Sequence, residues 1–188
     1  MNFKKDILLI DLEFTGLNVD KHEIIQFAAV LLDKKTLKEK AFFNSYAAPG
    51  NWKNRDRESM KVNKIKSEWL KAAPSLNTVL NNFNKKFKPA NVILSYYGGP
   101  ADMDFLRAAY KRAGVKWQFD YHYFNLWAVF YAYLASNNKL KASKEFAGFN
   151  LDYLMKALKI KPLLRHDALA DCRMEAEVLR RIIFQIKK

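Results

Sequence analysis

The sequence predicts an α/β fold of three layers, with helices packed on both faces of a central sheet. Two observations point there: apolar, strand-like runs come first, and strand and helix patterns alternate after them. A third is capacity, because 188 residues of which 50% are hydrophobic can bury a sizeable core, most simply as one domain spanning 1–188.

The elements follow in order. "ILLIDLEF" is the first strand, and "EIIQFAAVLLD" and "LKEKAFFNSYAA" are two more, joined through the turn residues "DKKT". The polar, basic stretch "PGNWKNRDRESMKVNK" reads as the long loop. "KSEWLKAAPSLNTVLNNFNKKF" predicts two short helices, with Pro74 opening the second after a boundary at Ala73. "NVILSYY" is another strand, and "ADMDFLRAAYKRAG" a helix closed by Gly114. In "WQFDYHYFNLWAVFYAYLA" the first half reads as a strand and the second as an aromatic helix. "NLDYLMKAL" is a short helix, and a long terminal one carries apolar residues at Cys172, Ala176, Leu179, Ile183 and Ile186. No repeat, low-complexity segment or second-domain linker interrupts the pattern.

Composition narrows the partners. Lys and Arg number 33 against 19 acidic residues, a formal net charge of +14. That excess favours polyanions through counterion release, nucleic acid first and an anionic membrane surface second. No apolar run of 18 residues or more is present, so no membrane span is expected. The apolar run before Asp11 is too short for a signal-peptide core and reads as a strand. One cysteine, Cys172, excludes an internal disulfide, fits a reducing cytoplasm, and reads as a packing residue.

The chemistry lies in the acidic residues. Asp11 and Glu13 stand at i and i+2 after four apolar residues, so a strand points both the same way. In the predicted topology they sit at the carboxyl end of a central strand, where open α/β sheets place ligands. Asp102 and Asp104 open one helix, and His166 and Asp171 lie at the start of the last. Any one of these alone fits a helix-dipole or capping role. Together they gather carboxylates from three segments of a basic protein. Oxygen-only donors select hard ions such as Mg²⁺ or Mn²⁺, and two such ions about 4 Å apart suit phosphodiester cleavage.

"DLEFTGL", "ADMDFL" and "HDALAD" together resemble the three motifs of the DEDDh-type 3′→5′ exonucleases, which include proofreading subunits, ribonuclease T and oligoribonuclease. The resemblance runs from residue 7 to about 180 and implies a ribonuclease-H-like fold. It makes Asp11, Glu13, Asp102 and Asp171 ligands of two Mg²⁺ or Mn²⁺ ions, His166 the general base, and Asp104 a bystander. By the same resemblance the backbone around Thr15 and Gly16 holds the terminal 3′-hydroxyl, Leu17 wedges against the last base, and Phe14 lines the pocket. Trp52, Trp69 and the cations between 53 and 71 form a candidate rim for the strand, with a solvated face as the plain alternative. The implied substrate is single-stranded nucleic acid with a free 3′ end. The chain's length is nearest the oligoribonuclease branch, which tilts the expectation towards RNA or short oligonucleotides. Relatives include monomers, dimers and polymerase-associated subunits, which leaves a homodimer or a polymerase partner open. The chain departs from the pattern at Tyr97–Gly98, where many relatives carry His-Asn, and at Gln26, where many carry an acid.

Two other readings share part of this pattern. A haloacid-dehalogenase-type phosphatase also begins with an Asp two residues before a second acid, and would use Asp11 as nucleophile. Its second acid is normally Asp, however, and its later Gly-Asp-x-x-x-Asp signature is missing. A non-catalytic nucleic-acid-binding relative is expected to have lost a ligand, yet all four acids and the histidine are present.

Overall fold

The computed structural model describes residues 3–97, 101–137, 150–161 and 167–186. Its centre is a mixed sheet of five strands in the order β3-β2-β1-β4-β5. β1 (Asp6–Phe14), β2 (Ile24–Leu32) and β3 (Glu39–Tyr46) run antiparallel to one another in turn, whereas β4 (Val92–Tyr96) lies parallel to β1, and β5 (Phe124–Asn125) parallel to β4.

Alternation along β1 divides the core in two. Leu8, Ile10 and Leu12 pack with Phe27 and Ala29 of β2 against α3 (Leu76–Phe87) and α4 (Ala101–Arg112). Ile7 and Leu9 pack with Ala28, Val30 and Leu32 against α5 (Leu126–Ser136), α6 (Leu151–Ala157) and α7 (Ala168–Ile186). The three-layer expectation holds: one sheet, buried on both faces, which is why β1 reads as a continuous apolar run until its end. Among the described residues no helix is long and apolar enough to cross a membrane.

Three local expectations are corrected. The stretch read as a long loop folds into a 3-10 turn, Trp52–Asn54, and a helix, α1 (Arg57–Asn63). Asp56 caps α1 by accepting from Ser59 N at 2.8 Å, and Asn63 holds its far end by donating to the carbonyl of Phe14 at 3.1 Å and accepting from Ile65 N at 3.1 Å. Polar composition hid a helix that is anchored by hydrogen bonds more than by an apolar stripe. Second, Pro74 does not open α3; Ser75 caps it, and the Pro74 carbonyl accepts from Ala48 N at 2.9 Å. Third, the strand read into the first half of 117–135 shrinks to the two residues of β5. Trp117 and Phe119 turn instead into the α3–α4 core, where both pack edge-on against Tyr110.

A bulge redirects β2 beside the end of β1. Glu13 pairs with Gln26 but Phe14 pairs with Ile24, leaving Ile25 as the extra residue on β2. Freed from the pleat, Ile25 forms a third small core with Ile65, between α1 and α2 (Ser67–Lys71), and Leu70 of α2, packed by Tyr46, Trp52 and Met60. This cluster and Asn63 together fasten α1 and α2 to the end of β1. Asn63→Ala removes both buried hydrogen bonds and is expected to cost about 1–3 kcal/mol. Urea denaturation measures it, and a loss below about 0.3 kcal/mol would show that Asn63 does not hold α1 in place.

Candidate active site

The face of β1 that carries Ile7 and Leu9 continues outward as Asp11 and Glu13, so the same alternation that builds the core delivers two carboxylates to its rim. α7 crosses that face. Its Cys172 Sγ lies 3.9 Å from the Leu9 carbonyl, and Asp171, in the first turn, is set beside the strand end. One carboxylate oxygen from each of Asp11, Glu13 and Asp171 lies within 4.8 Å of the other two.

Asp102 comes from the first turn of α4 and lies outside that 4.8 Å set. Its carboxyl is nevertheless pushed up to about 8, first by burial and then by the charge of Glu13. Asp104 is exposed. Asp11 rises well above the usual carboxylate range, through burial first and then through the charges of Glu175, Asp102, Asp171 and Glu13.

Glu175 was missed by sequence reasoning. It is 1% exposed and ranks first among the charges acting on Asp11. The available signal was its spacing: it follows Asp171 by four residues, on the same inward stripe as Val178 and Ile182. The predicted stripe was too narrow, because α7 packs against the sheet and against α5 and α6 together. The same surroundings push the Cys172 thiol well up, by burial first, so it is a packing residue and not a thiolate nucleophile.

His166 lies outside the described residues. The start of α7 just after it is held from β2. Asp167 accepts from Ala170 N at 2.9 Å as the helix cap, and Gln26 bridges to it. The Gln26 amide donates to Asn44 at 3.1 Å and to the Asp167 carboxylate at 3.4 Å, while its oxygen accepts from Ala168 N at 3.5 Å. A glutamate at position 26 would present a second carboxylate to Asp167. The neutral amide therefore has a structural reason here.

The turn after β1 is rigid. Thr15 is buried; its N–H donates to the Glu23 carbonyl at 2.9 Å, and its hydroxyl oxygen accepts from Glu23 N at 3.0 Å. Asp56 N donates to the Thr15 carbonyl at 2.6 Å. Thr15 thus shapes the turn from inside. A Cβ on Gly16 would come within 2.3 Å of the His22 ring, so only glycine allows that close approach. Leu17 stands 83% exposed at the tip, and Phe14 stacks on Phe105 with ring centroids 4.0 Å apart.

The donor set fits a divalent cation. It is all oxygen and built from carboxylates that repel one another, and its members come from two rigid elements. Residues 8–179 match the family model RNase_T, described as Exonuclease. The chain belongs to this exonuclease family. The DNA polymerase III epsilon subunit of Rickettsia prowazekii is 28% identical over 179 residues, which are 91% of this chain and 71% of the relative. Among solved structures, cell-death related nuclease 4 superposes with a TM-score of 0.83 at 20% identity, covering 96% of this chain and 64% of that one. The nuclease domain of 3′hExo, a DEDDh member bound to rAMP, gives 0.79 at 21% identity, covering 98% and 95%. These structures establish the shared ribonuclease-H-like fold. The family makes the chain a nuclease enzyme, and its acidic cluster is compatible with the divalent ions such exonucleases use.

The raised carboxyls set a pH test. In chelator, folded Asp102 keeps a proton that the unfolded chain releases near pH 4, so the folded state binds more protons from there up to about 8, and burial with its acidic neighbours raises Asp11 in the same direction. Their contribution to stability is lost as pH rises through that window. Wild type compared with Asp102→Asn isolates it: the variant gains on wild type between pH 5 and 8 in EDTA, and Mn²⁺ abolishes the gain. Urea midpoints measure this, and a constant difference across pH in EDTA contradicts it.

Proposed function

We propose that this exonuclease-family chain removes nucleotides from the free 3′ end of single-stranded nucleic acid and releases nucleoside 5′-monophosphates. The observation that carries the reading is the convergence of Asp11, Glu13 and Asp171 beside Asp102 at the end of β1.

In this reading the four carboxylates hold two divalent ions, Mg²⁺ or Mn²⁺. When bound, the ions supply the positive charge that makes water acidic and stabilises the departing oxygen. The chain's own residues do the rest. His166 takes the proton of the attacking water. The oxygen of that water bonds to the terminal phosphorus, and the bond to the 3′ oxygen of the preceding nucleotide breaks, so the phosphate stays on the released 5′ side. In this reading the turn at Thr15 and Gly16 receives the 3′-hydroxyl, Phe14 lines the pocket, and Leu17, exposed at the tip, parts the last base from its neighbour. Unstacking is easiest in a single strand. The +14 charge supports a polyanionic substrate. The Rickettsia relative is a polymerase subunit, which supports a polymerase as a second partner.

One gel tests direction and end chemistry: end-labelled strands, open or 3′-phosphorylated, incubated with Mg²⁺ or EDTA. Stepwise shortening from an open 3′ end is expected, with none for blocked ends or in EDTA. Internal cuts or digestion of circles would refute it.

Substitutions test the roles. Asp11→Asn and Asp171→Asn are each expected to lower the rate by orders of magnitude, because each removes charge with little change of shape. Activity within about threefold of wild type contradicts the ligand assignment. His166→Ala is expected to keep Mn²⁺ affinity by calorimetry while losing roughly 10² to 10⁴ in rate. Lost affinity would make His166 a ligand or structural residue.

A further inference from the structure

At the end of β3, Tyr46 and Trp69 stack with centroids 5.6 Å apart and planes at 29°. Trp69 is 44% exposed, and Lys66 Nζ lies 5.4 Å from its ring centroid. Tyr46, Trp69 and Ala72 line an open depression of about 360 Å³. On the same segment Arg55 sits 4.7 Å from the Trp52 ring centroid. An exposed indole beside a cation at the mouth of a shallow hollow matches the base-and-phosphate pattern of single strands.

Its position in the fold relates it to the acidic site. Tyr46 pairs with Gln26, and Gln26 pairs with Glu13, so Tyr46 stands two strands from Glu13, about 10 Å across the sheet. The Tyr46 hydroxyl is pushed up by burial and then by the charge of Asp167, the cap of α7. The small core of Ile25, Ile65 and Leu70 lies under Tyr46 and Trp52, and Asn63 ties the same segment to the Phe14 carbonyl. The aromatic pair and the 3′-end turn are therefore one rigid piece.

We infer that Tyr46 and Trp69 form a stacking platform for an unpaired base upstream of the terminal nucleotide, with Lys66 against its phosphate. This rests on the single-strand exonuclease reading and deepens it. The terminal nucleotide occupies the pocket beside Glu13, and the strand then runs across α1 and α2 to the platform. A π-face accepts any base, so the platform selects for unstacked strands long enough to reach it and not for sequence. A duplex, whose bases are stacked inward, cannot use it.

The test compares an aryl ester of a nucleoside 5′-monophosphate, which carries no upstream base, with a ten-nucleotide single strand. For Trp69→Ala the ratio of kcat/KM, strand over ester, is expected to fall roughly tenfold or more, carried by KM of the long strand. Trp69→Phe, which keeps a ring, should recover most of the ratio. An unchanged ratio in Trp69→Ala overturns the platform, and so does a ratio that Trp69→Phe fails to recover. Lys66→Gln is expected to reduce the salt slope of long-strand binding by about one; an unaltered slope removes Lys66 from the contact. Binding in EDTA separates this from the catalytic reading. Quenching of indole fluorescence by the strand, reduced in Trp69→Phe, supports the platform even if hydrolysis never occurs, whereas hydrolysis with quenching unaffected by Trp69→Phe refutes the platform alone.

Discussion

Like charges crowded at the end of β1 are the constraint around which the molecule is arranged. Two full charges 4.8 Å apart repel by about 3 kcal/mol at an effective dielectric of 20. Asp11 faces four other carboxylates, so several such terms would add. A domain whose whole stability is about 5–15 kcal/mol cannot hold them all ionised without compensation. Protons compensate in the absence of metal, which is the origin of the raised Asp11 and Asp102 carboxyls. Divalent cations, with which the cluster is compatible, would compensate in the same way.

The scaffold keeps the acids from moving apart. β1 lies inside the sheet, paired to β4 as far as Ile10 and to β2 through Phe14, so Asp11 and Glu13 are fixed by their pairing with Ala28 and Gln26 of β2. α7 is clamped at its start by the Gln26 bridge and along its length by the core of Ile7, Leu9 and Val30. The amide at position 26 serves the clamp: it donates to one side of the helix cap and accepts from the other. An acid could accept there but could not donate while ionised.

The segment between β3 and α3 connects the acidic site to its surroundings. One bulged residue, Ile25, leaves the sheet and becomes the seat of a separate small core. On that core rest α1 and α2, whose polar atoms reach the backbone of Phe14 and Thr15 on one side and whose aromatic rings meet Tyr46 on the other. The turn after β1 and the Tyr46–Trp69 pair are thus built on a common seat.

Local pattern alone was enough for much of the fold and the site. The apolar run into Asp11-x-Glu13, the strand–helix alternation and the acids at helix starts identified the layered architecture, the central strand and the carboxylates, because each is encoded in spacing along one element. Thr15 was harder: its motif position was legible, but its inward hydrogen bonds to Glu23 and from Asp56 were not. α1 escaped notice because partners distant in sequence, Phe14 and Ile25, hold it. Glu175 carries no signal of its own until α7 is packed on the sheet, α5 and α6, and the strand expected from Trp117 was undone by aromatic rings that pack into the α3–α4 core. The order of residues settles which side chains share a face of one strand or helix, since backbone geometry sets that locally. Which faces meet, how many carboxylates share one space, and which aromatic residues stay exposed emerge only on folding, because burial and electrostatic repulsion are sums over neighbours that the folded chain brings together.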